Sequence, residues 1–360
     1  MSERVAMMDG FIESAGWSAA KRDAIQGDAS TRSYVRLDLN GRKAVLMNAP
    51  KGDEAPGEPD GASVVDRREI GYNALARLAG PNLEAFLTVA QELSRRGLSA
   101  PRIIAADVDQ GFALLEDFGE GDYWRVIAAD AAMERPLYDA AVDVLAVIYR
   151  STFPARPDFQ GHAWRIRDYD DAAMLAETDL FLDFYAPDVE RPVSKTARAE
   201  FYDLWRAAFS HLDAHAHGLC LRDFHAQNLF WLPDRDGQAR VGLIDFQDAL
   251  FAHPAYDLAS FLEDARRDVD PSLFEPLKQR FCDKAGLVYD EAFKAAYAVM
   301  AAQRNTKVIG FPVRADVQFG KPQYRALIPR VRDHLKRDLS HPACADLRRW
   351  FAAHVPEILQ

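Results

Sequence analysis

The sequence predicts an α+β chain of two lobes, a small sheet-containing lobe followed by a mainly helical one. Two contrasting patterns carry this expectation. Over residues 1–117 the apolar residues alternate or cluster in short runs around turn residues, as strands do. Over residues 118–360 they recur at helical spacing. A length of 360 residues accommodates two lobes, each with a sizeable core.

In the first lobe, Tyr34–Leu39 and Lys43–Met47 flank Asn40-Gly41, a two-residue hairpin signal. Residues 50–62 are rich in Pro, Gly and acids and mark an exposed insertion; with a short extra helix over Asp66–Leu78 it covers about 50–80. Glu84–Arg96 places Phe86, Val89, Ala90 and Leu93 on one helical face, and Gly97 stands where a helix ends. Arg102–Ala105 and Gly111–Leu115 follow as strands, and Glu116-Asp117-Phe118-Gly119 is a strand-to-loop transition. In the second lobe, Pro136–Tyr149 and Phe201–Leu212 carry apolar and aromatic stripes that belong to a core, and Asp290–Met300 and Arg325–Leu339 continue the helical count.

Composition narrows the function. The apolar fraction is 49% and the charged fraction 28%, both ordinary for a globular protein. A formal net charge of −11 disfavours nonspecific nucleic-acid binding. Cys220, Cys282 and Cys344 are far apart, odd in number and without metal or redox spacing. No signal pattern and no membrane-length apolar run stands out, so the expectation is a cytoplasmic monomer that binds neither nucleic acid nor membrane.

Chemistry concentrates in Leu221-Arg222-Asp223-Phe224-His225-Ala226-Gln227-Asn228 and Gly242-Leu243-Ile244-Asp245-Phe246-Gln247-Asp248. Asp223 and Asn228 have the D-x-x-x-x-N spacing of the kinase catalytic loop, and Asp245-Phe246 falls where that architecture places its metal-binding Asp-Phe. Phosphoryl transfer needs a positioned hydroxyl and metal ions on the phosphates, with little covalent work from the protein. Asp223 suits the role of base, and Asn228 and Asp245 offer the oxygen ligands that Mg²⁺ takes, with ATP as co-substrate. Asn228–Leu232 and Arg240–Ile244 read as a hairpin around Pro233-Asp234-Arg235-Asp236-Gly237, which brings Asn228 and Asp245 to one end. D-x-x-x-x-N alone recurs by chance; the hairpin and the following His253-Pro254-Ala255-Tyr256-Asp257-Leu258-Ala259 make chance a poor account. Asp257 reads as a structural acid that buttresses the catalytic loop.

With these motifs in hand, the chain resembles the aminoglycoside phosphotransferase (choline-kinase-like) superfamily. It is most similar to the anomeric N-acetylmuramate/N-acetylglucosamine 1-kinases of peptidoglycan recycling. The narrower resemblance rests on Gly27–Tyr34, Ala44–Pro50, Gly111–Gly119, Glu177–Phe181 and Gln303–Lys307. It implies a two-lobed protein-kinase-like fold. It also implies nucleotide contacts from Asp28, Ala29, Ser30, Thr31 and Arg32 and from the hinge residues Glu116 and Phe118. Acceptor contacts fall to Glu177, Asp179, Arg222, His225, Arg304 and Lys307, and the partner is a small amino sugar.

Three departures from the kinase pattern matter. Met47 takes the place of the third-strand lysine, so Arg32, or else Lys43, is the candidate cation for the phosphates. Glu84 and Glu92, the candidate helix glutamates, then lack their usual partner. Leu221 replaces the histidine before Arg-Asp, and Gln247 replaces the glycine of D-F-G, which argues against a regulated activation segment. An aminoglycoside or other small-alcohol kinase, a protein kinase and a nucleotide-binding pseudokinase scaffold remain as alternatives.

Overall fold

The computed structural model describes residues 3–25, 31–52 and 55–360. The chain divides into two compact units. One comprises Met1–Ala131, Phe153–Arg167 and Gln227–Ala249; the other comprises Ala132–Thr152, Asp168–Ala226 and Leu250–Gln360.

The first unit is built on a five-stranded antiparallel sheet of β1 (Lys21–Ile25), β2 (Ser33–Leu39), β3 (Arg42–Asn48), β4 (Ile103–Asp107) and β5 (Phe112–Glu116), in the order β1-β2-β3-β5-β4. The β2–β3 hairpin forms as its turn residues dictate. Asn40 and Gly41 both have positive φ, 55° and 86°, which a type I′ turn requires. Asp38 accepts the Gly41 N–H at 2.8 Å. Helix α1 (Glu3–Ser14) brings Phe11 and Ile12, with Trp17, against Leu37, Ala44, Leu46, Phe112 and Leu114.

Neither α1 nor β1 announces itself in the sequence, since β1 is an exposed edge strand. The insertion helix is split into α2 (Val64–Ile70) and α3 (Tyr72–Leu75) at Gly71, whose φ of 127° only glycine adopts readily. A capping box starts α2: Asp66 N–H donates to Ser63 Oγ at 3.2 Å and Ser63 N–H to Asp66 Oδ2 at 2.8 Å. Helix α4 (Leu83–Arg95) buries Phe86, Leu87, Val89, Ala90 and Leu93 and stops before Gly97, at φ 73°. Helix α5 (Tyr123–Ala129) is capped by Asp122, which accepts the Arg125 N–H at 3.0 Å. The expected second hairpin is present as Leu229–Trp231 paired with Val241–Leu243.

The second unit is helical: α6 (Glu134–Arg150), α7 (Asp171–Leu180), α8 (Ala186–Asp188), α9 (Lys195–Phe209), α10 (Ala255–Leu262), α11 (Phe274–Ala285), α12 (Glu291–Phe319), α13 (Ile328–Asp338) and α14 (Ala345–His354). Helix α12 runs well past Met300, where its apolar pattern gives out, because Gln303, Arg304, Asn305 and Thr306 are buried rather than solvated. At Gly310 it meets the end of α7 so closely that a Cβ would lie 2.2 Å from the Leu180 carbonyl. Phe201 of α9 packs on Trp350 of α14 at 4.4 Å, and the Trp350 indole donates to the Ala197 carbonyl at 3.0 Å. The three cysteines are free and buried. Among the described residues no helix is long and apolar enough to cross a membrane.

Candidate active site

In the helical unit, strand Gly218–Cys220 pairs with Leu250–Ala252 and delivers the chain to Asp223. A three-residue turn follows, closed by the Asp223 N–H to the Leu221 carbonyl at 2.9 Å. It forces Arg222 to φ 68°, a conformation that non-glycine residues seldom adopt and that clusters at functional loops. Asp257, in the first turn of α10, holds that turn. It accepts the backbone N–H of Leu221 at 2.6 Å, that of Arg222 at 2.9 Å, and the Cys220 thiol at 3.1 Å. Burial raises the pKa of Asp257 above the ordinary aspartate value, with these donors working against the rise. The Cys220 thiol is pushed well up by burial and then by Asp257, which leaves it an inert core group. Asp264 secures the far end of the loop by accepting the Ala226 N–H at 3.2 Å.

The structure sorts the acceptor candidates. Glu177, Arg222 and Lys307 come together: the Glu177 carboxylate is fully buried, bonded by the Arg222 guanidinium and the Tyr169 hydroxyl and paired with Lys307 at 2.8 Å. Burial opposes the charge of Glu177, but Arg222 and then Lys307 outweigh it and hold the carboxyl below its usual range. Gln303 completes the cluster by donating to the Tyr169 hydroxyl at 2.9 Å. Asp179 stands apart, paired with Arg198 at 3.0 Å and bonded by the Tyr202 hydroxyl. His225 is buried; its pKa lies well below the ordinary histidine value through burial and then through Arg266 and Arg304, so the ring is neutral. Arg304, on α12, is buried as well.

The metal candidates lie in the sheet unit, at the open end of the second hairpin. The Ile244 N–H bonds the Asn228 carbonyl at 3.1 Å, which aligns the two side chains. Asn228 Nδ2 donates to Asp245 Oδ2 at 3.2 Å and Gln247 Nε2 to Asp245 Oδ1 at 3.0 Å. Asp245 has φ 62°, a second positive-φ residue at a predicted site position. Phe246 stacks on Phe86 of α4 at 4.8 Å, and Asp248 accepts the Ala79 N–H at 2.6 Å. A hard divalent cation fits this donor set. Asp245 keeps lone pairs beyond its two hydrogen bonds, and Gln247 Oε1 is buried beside it without a partner among the described residues. No three His, Cys, Asp or Glu side chains cluster among the described residues. Mg²⁺ binds through one or two carboxylates plus substrate phosphates, and Asp245 offers one such carboxylate.

Of the nucleotide candidates, Asp28, Ala29 and Ser30 lie outside the described residues. Thr31 and Arg32 lead into β2, and Arg32 Nη2 donates to the Gly80 carbonyl at 3.1 Å. Met47 is buried on β3 opposite Ala113, and Lys43 is exposed beside the hairpin turn. Glu92 pairs with Arg95 and Arg96 of its own helix end, which only the folded i,i+3 and i,i+4 geometry makes evident. In the expected hinge segment, Glu116 pairs with Arg235 at 2.5 Å and Asp117 with Arg36 at 2.7 Å; both partners escape sequence reasoning because each is distant along the chain. Phe118 leans on Phe230 at 5.7 Å, and Gly242 is required beneath it, since a Cβ there would sit 2.9 Å from the ring. A cavity of about 500 Å³ opens in the same unit, lined by Ala90, Leu98, Pro101, Arg102, Glu116 and Arg235.

This small antiparallel sheet joined to a helical unit, with an Asp223-x-x-x-x-Asn228 loop and a hairpin leading to Asp245, defines a protein-kinase-like phosphotransferase. The chain belongs to the phosphotransferase enzyme family, whose profile matches residues 22–302. It is similar to an N-acetylmuramate/N-acetylglucosamine kinase of Caulobacter vibrioides, 39% identical over 355 residues that cover 99% of this chain and 98% of the relative. Among solved structures it is similar to a choline kinase from Streptococcus pneumoniae (TM-score 0.56, 13% identity, 94% of this chain and 100% of that one). It is similar also to the GDP complex of aminoglycoside 2'-phosphotransferase-IIIa (TM-score 0.57, 14% identity, 94% of this chain and 99% of that one). These two likenesses show the expected fold.

Proposed function

We propose that the protein transfers the γ-phosphoryl group of ATP to the anomeric hydroxyl of N-acetylmuramate and N-acetylglucosamine, as a cytoplasmic monomer in cell-wall recycling. The observation that carries this reading is the 39% identity, over nearly the whole length of both chains, with a kinase of that name. Asp223 orients the acceptor hydroxyl and takes its proton, a modest demand because an anomeric hydroxyl is more acidic than an ordinary alcohol. Asn228 and Asp245 would hold Mg²⁺, which would supply charge neutralisation at the phosphates. Residues 28–32 cover the phosphates, and the hinge at Glu116 and Phe118 takes the adenine. The buried Asp257 keeps Asp223 in place through the Leu221 and Arg222 amides.

An aminoglycoside acceptor fits less well. Its ammonium groups call for spare carboxylates, whereas Glu177 is matched by Arg222 and Lys307 and Asp179 by Arg198. The test is ADP release on a panel of amino sugars, aminoglycosides and choline. Turnover of the two N-acetyl sugars is expected, and its absence refutes the substrate assignment. Asp223→Ala should abolish transfer while nucleotide still binds; retained transfer removes Asp223 as the base and a silent wild type supports the scaffold reading.

A further inference from the structure

We propose that Arg304 is the specificity-determining residue of the acceptor site and binds a carboxylate carried by the acidic sugar. The inference rests on the amino-sugar kinase reading and deepens it. Arg304 is only 5% exposed, yet its guanidinium forms no hydrogen bond or ion pair among the described residues, and Nη1 is wholly buried without a partner. Burying a charge without a counter-ion is costly, and folded proteins retain the arrangement where a ligand supplies the missing partner.

Three acids of the same unit are engaged elsewhere. Asp257 feels the charge of Arg304, but its oxygens serve the Leu221 and Arg222 amides and the Cys220 thiol. Glu177 is taken by Arg222 and by Lys307, one turn further along α12. Glu263 is taken by Tyr297, Asn305 and Arg337. Arg304 therefore keeps an unmatched charge, and it lies at the catalytic loop: it acts electrostatically on His225, two residues beyond Asp223, and on Tyr256. Arg266 bears on the same histidine, so His225 feels two guanidinium groups. Asp223, Arg266 and Lys307 are each partly exposed, Lys307 by about one-fifth.

The chemistry selects the ligand. A planar guanidinium matches a carboxylate with two parallel hydrogen bonds. Phosphate charge is met in the other unit, where the metal ligands Asn228 and Asp245 stand, whereas Arg304 belongs to the unit that holds Asp223. Of the two proposed acceptors, N-acetylmuramate carries a carboxylate and N-acetylglucosamine does not. The pair is thus a built-in control for the role of one residue.

The experiment compares wild type, Arg304→Met and Arg304→Lys, with binding of each sugar by calorimetry and kcat/KM for each. Circular dichroism establishes that each variant is folded, and Arg304→Lys, which keeps the charge, serves should Arg304→Met not fold. Loss of a charge-assisted bidentate contact should shift the preference between the sugars by roughly 10- to 100-fold toward the neutral one in Arg304→Met. Arg304→Lys should shift it by about three- to tenfold, chiefly in KM. A preference unmoved in both variants, or an equal fall for both sugars, which would place Arg304 on the transferred phosphoryl group, overturns the assignment. If wild type binds both sugars but phosphorylates neither, the kinase reading fails and the binding ratio still decides the role of Arg304. If N-acetylmuramate does not bind wild type, both fall.

Discussion

Replacing Glu177 by Gln separates a structural role from an acceptor role. The substitution keeps size and one acceptor oxygen but removes the charge that Arg222 and Lys307 share. Arg222 is 2% exposed and Lys307 about one-fifth, so water can compensate the second but hardly the first. Breaking a buried pair by deleting one partner costs about 3–5 kcal/mol, because an uncompensated charge stays behind. The Tyr169 hydroxyl also loses a charged acceptor for a neutral one. For a unit of roughly 200 residues this corresponds to a Tm lower by on the order of 10 °C. The assay is thermal and urea unfolding of wild type, Glu177→Gln, Lys307→Met and the double variant. Lys307→Met in the Glu177→Gln background should recover part of the loss. The pH dependence follows from the depressed pKa of Glu177. Its contribution is fully present above the unfolded-state pKa and is lost as pH falls through the folded value, so the gap between wild type and Glu177→Gln should narrow in acid. A variant that melts within 1 °C of wild type but raises the acceptor KM would refute this account and return Glu177 to the acceptor.

Three further predictions follow from other contacts. Asp338 and Glu263 are both buried and joined through Asn305 Nδ2, which donates to them at 2.8 and 2.6 Å; burial and then Glu263 hold the Asp338 carboxyl well above its usual pKa. Such a group stabilises the fold fully below its unfolded-state pKa and loses that contribution as pH rises through the folded one. Asp338→Asn should therefore flatten the decline of Tm across that window, and an unchanged Tm–pH profile would refute this role of Asp338. Gly310→Ala should cost several kcal/mol, on the order of a severe overpacking defect, because the new methyl meets Leu180 backbone; soluble, wild-type-like melting would disprove the close crossing. Asp245→Asn should raise the Mg²⁺ concentration required for half-maximal turnover by at least about tenfold, read from metal titrations, and an unchanged requirement would remove Asp245 as a ligand.

The legible parts of the chain were those where local chemistry dictates conformation. Asn40-Gly41 demands positive φ and so announces its hairpin. The apolar stripe of α4 and the stop at Gly97 are equally local. The hairpin that aligns Asn228 with Asp245 was likewise visible in its turn residues. What the pattern hid depends on partners far along the chain. Gln303–Thr306 are polar and yet buried in the middle of a helix, because Tyr169, Glu263 and Asp338 arrive from elsewhere to satisfy two of them. The pairing of Glu177 with Arg222 and Lys307 is of the same kind, as is the solitude of Arg304. Helix α1 escaped because its buried residues, Phe11 and Ile12, are too few to make a stripe.

The stacking of Phe246 on Phe86 bears on control. In switchable kinases the residue after the metal-binding aspartate swings out and takes the metal site with it. Here Phe246 is wholly buried under α4, and two residues on Asp248 is tethered to the Ala79 amide, with Gln247 in place of a glycine pivot. Releasing Asp245 would mean unstacking two core rings and stranding a buried amide at once. The loop of the proposed metal ligand Asp245 is therefore pinned to the α4 region at two points. A loop so held has no off position of that type.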